Sequence, residues 1–163
     1  MTETIYSDNA RKITQNKKIL EETLQVKFSI KSGVITIDGK SEDEYIALQV
    51  IEAINLGFTI PKALFLKEDG FLFEKLSIKN IIKRKDLSQV RARLIGTQRK
   101  VLYTIESLTD TFLVVHENHV GIIGRIEDVE KASYVLKRII AGSKHANMYA
   151  WLEKKKAEER NII

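Results

Sequence analysis

Residues 10–57 repeat as residues 95–142, at an offset of 85 positions and without a gap. Ile37-Asp38-Gly39-Lys40 lies over Ile122-Ile123-Gly124-Arg125, and Glu42-Asp43 over Glu127-Asp128. Ala47, Val50, Ile51, Ile54 and Gly57 lie over Ala132, Val135, Leu136, Ile139 and Gly142. Upstream, Leu20-Glu21 matches Ile105-Glu106, Phe28 matches Leu113 and Ile30 matches Val115. Two copies make a duplicated small domain, because a solenoid needs three or more stacked repeats. The duplication lets each copy be read against the other. They part at one place: Gly96-Thr97-Gln98-Arg99 in the second copy lies over Arg11-Lys12-Ile13-Thr14 in the first.

A unit of this length buries only about 60–65% of its unfolded surface, so the two units are expected to pack on each other. An apolar fraction of 44% with regular periodicity marks a folded chain. The sequence has no cysteine, which excludes disulfides and thiolate metal sites. No apolar run approaches the ~18 residues of a membrane span. The first residues, Met1-Thr2-Glu3-Thr4, are polar and lack a signal-peptide core. The expectation is a cytoplasmic protein without membrane attachment.

The net charge of +5 is unevenly placed. Residues 1–57 carry seven Lys and Arg against nine Asp and Glu, a net of −2. Residues 79–100 carry Lys79, Lys83, Arg84, Lys85, Arg91, Arg93, Arg99 and Lys100 against Asp86 alone, eight against one, a net of +7. A charge run by itself is usually a solvated helix face. Here the excess leads directly into a glycine that opens a helix, which favours a polyanion site.

The element order follows from periodicity and punctuation. Thr4–Ser7 is a short β-like piece, and residues 14–24 have a helical apolar side. Val26, Phe28 and Ile30 alternate with polar residues, as do Ile35 and Ile37 after Ser32-Gly33, which predicts a hairpin. Ser41 and Glu44 have capping-box spacing, and Ile46-Ala47, Val50-Ile51 and Ile54 give a helical stripe that Gly57 ends. Residues 58–70 are read as a connector, with Pro61 opening a short helix over Lys62–Leu66 and a turn at Asp69-Gly70. Phe71–Ile78 is a strand. Then follow a helix, the Gly96 loop, a helix over 99–108, strands over 111–116 and 120–123 with a turn at Asn118, and a helix over 127–141. Each unit is thus β-α-α-β-β-α. A last helix covers roughly 145–160, with Met148, Trp151 and Leu152 apolar.

That order, with a glycine between two helices, resembles a type I KH domain. The resemblance is carried by Ala92-Arg93-Leu94-Ile95-Gly96-Thr97-Gln98-Arg99-Lys100, then Ile105-Glu106-Ser107-Leu108-Thr109, then Val120-Gly121-Ile122-Ile123-Gly124. The family has an Ile-Gly-x-x-Gly loop there, which clamps the backbone of about four single-stranded nucleotides while bases lie in an apolar groove. A helix N-terminus suits a phosphate on physical grounds as well, and Gly96 lets backbone come close to a ligand. The second loop glycine is Arg99 here. Arg99 blocks the tightest approach but adds a guanidinium able to grip phosphate at two points.

The resemblance extends over nearly the whole chain. It includes Gly57-Phe58, Pro61-Lys62-Ala63-Leu64 and the C-terminal Gly142-Ser143-Lys144-His145-Ala146-Asn147-Met148-Tyr149-Ala150-Trp151-Leu152-Glu153-Lys154-Lys155. The chain is similar to the tandem-KH small-subunit ribosome-assembly factors shared by archaea and eukaryotes, in their short archaeal form. The resemblance implies an α+β fold: a degenerate first KH unit over 1–57, the connector over 58–70, and a second KH unit with a C-terminal helix over 71–163. It implies a non-catalytic RNA-binding factor for the 3′ region of pre-ribosomal small-subunit RNA. The partners implied are a single-stranded region of that RNA, the endonuclease that matures the 3′ end, and the α subunit of the translation initiation factor that delivers initiator tRNA.

Within this reading, RNA binds Ile95, Gly96, Thr97, Gln98, Arg99 and Lys100, with Arg91 and Arg93 before the loop and Lys83, Arg84 and Lys85 further off. Copy one has no loop glycine and is read as a docking or structural platform. The rival reading is a protein-interaction adaptor with weak or lost RNA binding. No enzyme, cofactor or metal signature occurs: His116 and His119 flank a hairpin turn without a third ligand, and the paired carboxylates sit in helix first turns. His145 opens the last helix four residues before Tyr149, and is read as packing that helix onto the sheet, with base stacking as the alternative.

Overall fold

The computed structural model describes residues 2–83 and 86–161 and divides the chain into two compact units, meeting at Asp69 and Gly70. The first contains β1 (Thr2–Tyr6), α1 (Ala10–Gln15), α2 (Lys17–Leu24), β2 (Val26–Lys31), β3 (Val34–Gly39), α3 (Ser41–Leu56) and α4 (Ile60–Ala63), the last continued by a 3₁₀ turn over Leu64–Lys67. The second contains β4 (Phe71–Ser77), α5 (Ile78–Ile81), α6 (Leu87–Ile95), a 3₁₀ turn over Thr97–Arg99, α7 (Lys100–Thr109), β5 (Phe112–His116), β6 (His119–Arg125), α8 (Ile126–Ile140) and α9 (His145–Asn161).

Both sheets are antiparallel and have one plan, β1-β3-β2 in the first unit and β4-β6-β5 in the second. The alternation read in the sequence decides the faces. Val26, Phe28, Ile35 and Ile37 are buried, while Lys27, Ser29 and Lys31 are exposed. Helix α3 places Ala47, Val50, Ile51 and Ile54 on the sheet, at the spacing of one helical face. Its acidic first turn, Glu42-Asp43-Glu44, matches the partial positive charge of a helix N-terminus. In the second unit Val129, Ala132, Leu136 and Ile139 of α8 join Leu94, Ile105, Leu113 and Ile122 in one core. Each Val, Leu or Ile of this core contributes about 1.5–3 kcal/mol when fully buried.

Four local readings are corrected. Residues 14–24 are not one helix: α1 ends at Gln15, and Asn16, whose side chain donates to the Lys12 carbonyl (2.8 Å), separates it from α2. Ser41 makes no capping bond. Glu44 instead accepts from the Gly39 N–H (3.1 Å), one residue before the N-cap Lys40, so neither half of the capping box forms. The connector residues Phe58, Ile60, Ala63 and Leu66 are buried within the first unit, so this stretch is part of that unit's fold. Helix α9 lies on α7 and α8, with Met148 and Leu152 in the core.

Candidate nucleic-acid interface

The second unit's loop is built by backbone conformation first. Helix α6 ends at Gly96, whose φ of 75° and ψ of 169° fall in a region that only glycine occupies readily. A Cβ there would stand 2.5 Å from Val101 Cγ2 and 2.8 Å from Val101 N. The close approach expected of Gly96 is therefore met first by the chain itself, the opening turn of α7. Gln98 and Arg99 follow with φ of 53° and 65°. Arg99 thus keeps the left-handed backbone that a glycine would take at no cost, at about 1–2 kcal/mol for a residue with a Cβ. The change of hand from Arg99 to Lys100 is a backbone pattern that forms anion-binding concavities. The loop also stands at the partial positive end of α7.

The side chains of the loop segregate. Thr97, Gln98 and Lys100 are exposed, and so are Lys79 and Lys83 upstream. Ile95 is half-buried against the core. The three arginines turn back onto the unit. Arg99 donates to both carboxylate oxygens of Glu106 (2.7 and 3.2 Å) and to the Leu113 carbonyl (2.7 Å). Arg91 donates to Asn118 Oδ1 (2.6 Å). Arg93 donates to the Ile139 and Ser143 carbonyls (3.0 and 2.8 Å), at the last turn of α8 and just beyond it. Arg84 and Lys85 lie outside the described residues.

His145 Nε2 donates to the Arg93 carbonyl (2.9 Å), and its ring lies 6.3 Å from Tyr149, an arrangement that ties α9 to α6. His116 and His119 pair across the β5–β6 hairpin. Burial, with Lys75 nearby, lowers the His119 pKa below its ordinary value. Glu106 is a site residue that the sequence reading misses. Besides Arg99 it binds the Leu113 N–H (2.9 Å). The signal lies in the duplication, since Glu21 and Phe28 occupy the matching positions and form the same bond (2.7 Å).

The first unit has no such loop. Its residues 10–15, which lie over 95–100, form α1. Ile13 is fully buried and anchors that helix, Arg11 is exposed, and Thr14 donates to the Ala10 carbonyl (2.7 Å). The strand registers show what is missing. Equivalent residues differ by 85 between β3 and β6 (Ile35 and Val120), but by 71 between β1 and β4 (Ile5 and Leu76), a difference of 14. Copy one is shorter by that much between its first strand and this point, so no residues remain to form a counterpart of α6.

Residues 72–157 match the sequence family described as the eukaryotic type KH-domain (KH-domain type I), in the form of the second KH domain of the PNO1 proteins. The chain belongs to this family. The second unit has the order β-α-α-β-β-α in β4, α6, α7, β5, β6 and α8, with the short α5 and the C-terminal α9 added, and a glycine between α6 and α7. A KH domain-containing protein of Methanocaldococcus jannaschii is 31% identical over 147 residues, covering 86% of this chain and 65% of that protein. An RNA-binding protein pno1 of Ixodes scapularis is 28% identical, covering 77% of this chain and 57% of that protein. The chain therefore spans less than two thirds of the length of these relatives. Among solved structures, the a/eIF2alpha–aDim2p–rRNA complex of Pyrococcus horikoshii contains a similar fold, with a TM-score of 0.87 and 26% identity over 97% of this chain and 95% of the other. Dim2p of the same organism alone gives a TM-score of 0.85 at 26% identity, over 94% of this chain and 99% of the other. No helix among the described residues is long and apolar enough to cross a membrane.

Proposed function

We propose that this protein is a non-catalytic RNA-binding factor acting on the 3′ region of pre-ribosomal small-subunit RNA during ribosome assembly, in the cytoplasm. The observation that carries the reading is the Gly96 loop: a left-handed turn at the positive end of α7, presenting Thr97, Gln98 and Lys100 outward. Phosphates of a single strand meet the loop, and Lys79 and Lys83 extend the positive track. Arg91, Arg93 and Arg99 hold the scaffold. The relatives support the reading, since one is named an RNA-binding protein and one solved neighbour is an rRNA complex. The α subunit of the initiation factor is proposed as a partner on the strength of that complex, and the 3′-end endonuclease from the family resemblance. The first unit, with a helix in place of the loop, serves as a platform.

The adaptor reading keeps one specific observation on its side: three of the arginines that look free in the sequence are engaged internally. Filter-binding titrations of single-stranded RNA at several salt concentrations separate the two. Four to six neutralised phosphates give a slope of log K against log salt of roughly −3 to −4. A flat dependence, or no binding at low salt, removes the RNA reading and leaves the adaptor.

A further inference from the structure

The geometry points to Glu106 as a positioning residue for RNA binding: it holds Arg99, and through Arg99 the left-handed loop, in the shape that receives phosphate. The inference rests on the RNA-binding reading of the same loop. Three observations meet at this carboxylate. Arg99 carries a φ of 65° where a glycine would be relaxed. Its guanidinium is fastened by bonds of 2.7 and 3.2 Å to Glu106 and 2.7 Å to the Leu113 carbonyl. Glu106 is in turn fixed by the Leu113 N–H at 2.9 Å, with its side chain 14% exposed. The carboxylate therefore ties loop, helix α7 and strand β5 together. Tension at a Cβ-bearing left-handed residue persists where surrounding contacts over-determine it, and this clasp supplies them.

The duplication isolates the clasp. Glu21 makes the same bond to strand β2, through the Phe28 N–H at 2.7 Å, yet the residue matching Arg99 is Thr14 inside α1. The glutamate-to-strand bond is thus common to both units. Only the second unit adds an arginine to it, and only the second unit has a loop to hold.

The test turns on a sign. Glu106 is an anion beside a site for a polyanion, so its charge alone disfavours RNA. Removing that charge should tighten binding if Glu106 does nothing else. The clasp requires the opposite. Glu106→Gln keeps an acceptor for Leu113 and should weaken single-stranded RNA binding about tenfold, leave the salt slope unchanged and speed amide exchange at Thr97–Lys100. Adding Arg99→Gly to Glu106→Gln should restore most of the affinity, because glycine takes the left-handed turn unaided. Arg99→Met should mimic Glu106→Gln without touching the bond from the Leu113 N–H. Glu21→Gln alters the matching interaction in the first unit and should leave RNA binding as it was.

Unchanged or tighter binding in Glu106→Gln overturns the inference. So does a drop of about 0.7 in the salt slope for Arg99→Met, which would make Arg99 a phosphate ligand. An equal loss in Glu21→Gln also overturns it, by tracing the effect to general destabilisation. If the unaltered protein binds no RNA, the proposed function falls and exchange alone decides: loop amides as protected in Glu106→Gln as in the parent overturn the clasp.

Discussion

Residues 10–15 and 95–100 stand at matching places in two copies of one sheet-and-helix plan, and their structures are opposite. The first segment is a helix with a buried isoleucine. The second is an exposed loop with unusual backbone at Gly96, Gln98 and Arg99. Strand pairing, the left-handed caps at Gln25 and Asp110, and the glutamate-to-strand bonds are shared. A duplicated fold thus tolerates the loss of its loop as long as the sheet and the helix behind it keep their apolar faces. What the first copy lacks is local, and the loop is the part of the second copy that its core does not need.

The largest effect that sharpens this contrast comes from glycine. Gly96→Ala puts a Cβ 2.5 Å from Val101 Cγ2 at a φ of 75°. The backbone region is nearly closed to other residues, so chemical denaturation should show a loss of about 3 kcal/mol or more, together with loss of RNA binding. The matching change, Arg11→Ala, lies on an exposed helical position and should alter stability by no more than about 0.5 kcal/mol. Similar losses at both positions would break the contrast, since Arg11 would then share a constraint now assigned to Gly96 alone.

Charge gives the next effect. Thr97→Asp with Gln98→Asp places two anions where phosphate is proposed to sit. RNA affinity should fall tenfold or more, since removing one charge-assisted hydrogen bond to phosphate costs about 1.5–3 kcal/mol. In copy one the comparison belongs at Arg11 and Lys12, because Ile13 is core and an aspartate there would unfold the unit. Arg11→Asp with Lys12→Asp should reduce affinity by less than about threefold, within the range of a surface change, read in the same titration. Equal losses would mean that α1 also carries RNA.

Much of the fold is legible in the sequence, and the reason is periodicity. Alternation in Val26–Lys31, the stripe of Ala47, Val50, Ile51 and Ile54, and the glycines that end α3 and α6 are local signals, and they mark their elements closely. Where a side chain goes over a long distance is not a local signal. Arg93 reads as part of a positive run, yet its partners are 46 and 50 residues further on, at a helix end that exists only once α8 is docked. Arg99 reads as a free cation because Glu106 lies across the break between the 3₁₀ turn and α7. The helix at 10–15 is not legible in the sequence, where the helical pattern is read from residue 14; the shortfall of residues that leaves no room for a loop shows only in the strand registers.

The smallest effect tests what the units share. Gln25 and Asp110 end α2 and α7 in the same way, with φ of 59° and 54° and N–H groups donating to the Glu21 and Glu106 carbonyls. Glycine is the usual residue at such a cap because it has no Cβ to crowd the left-handed turn. Its greater freedom in the unfolded chain offsets part of that gain. Gln25→Gly should therefore stabilise by only about 0.5 kcal/mol, reduced further by loss of the bond from Gln25 Nε2 to the Glu22 carbonyl (2.6 Å). Asp110→Gly should gain less, since aspartate visits the left-handed region more easily than glutamine. Urea midpoints measured on both variants would check the ordering. A clear gain in one unit with a clear loss in the other would show that the caps are alike in angle but not in strain, and the symmetry of the two copies would then stop at the sheet.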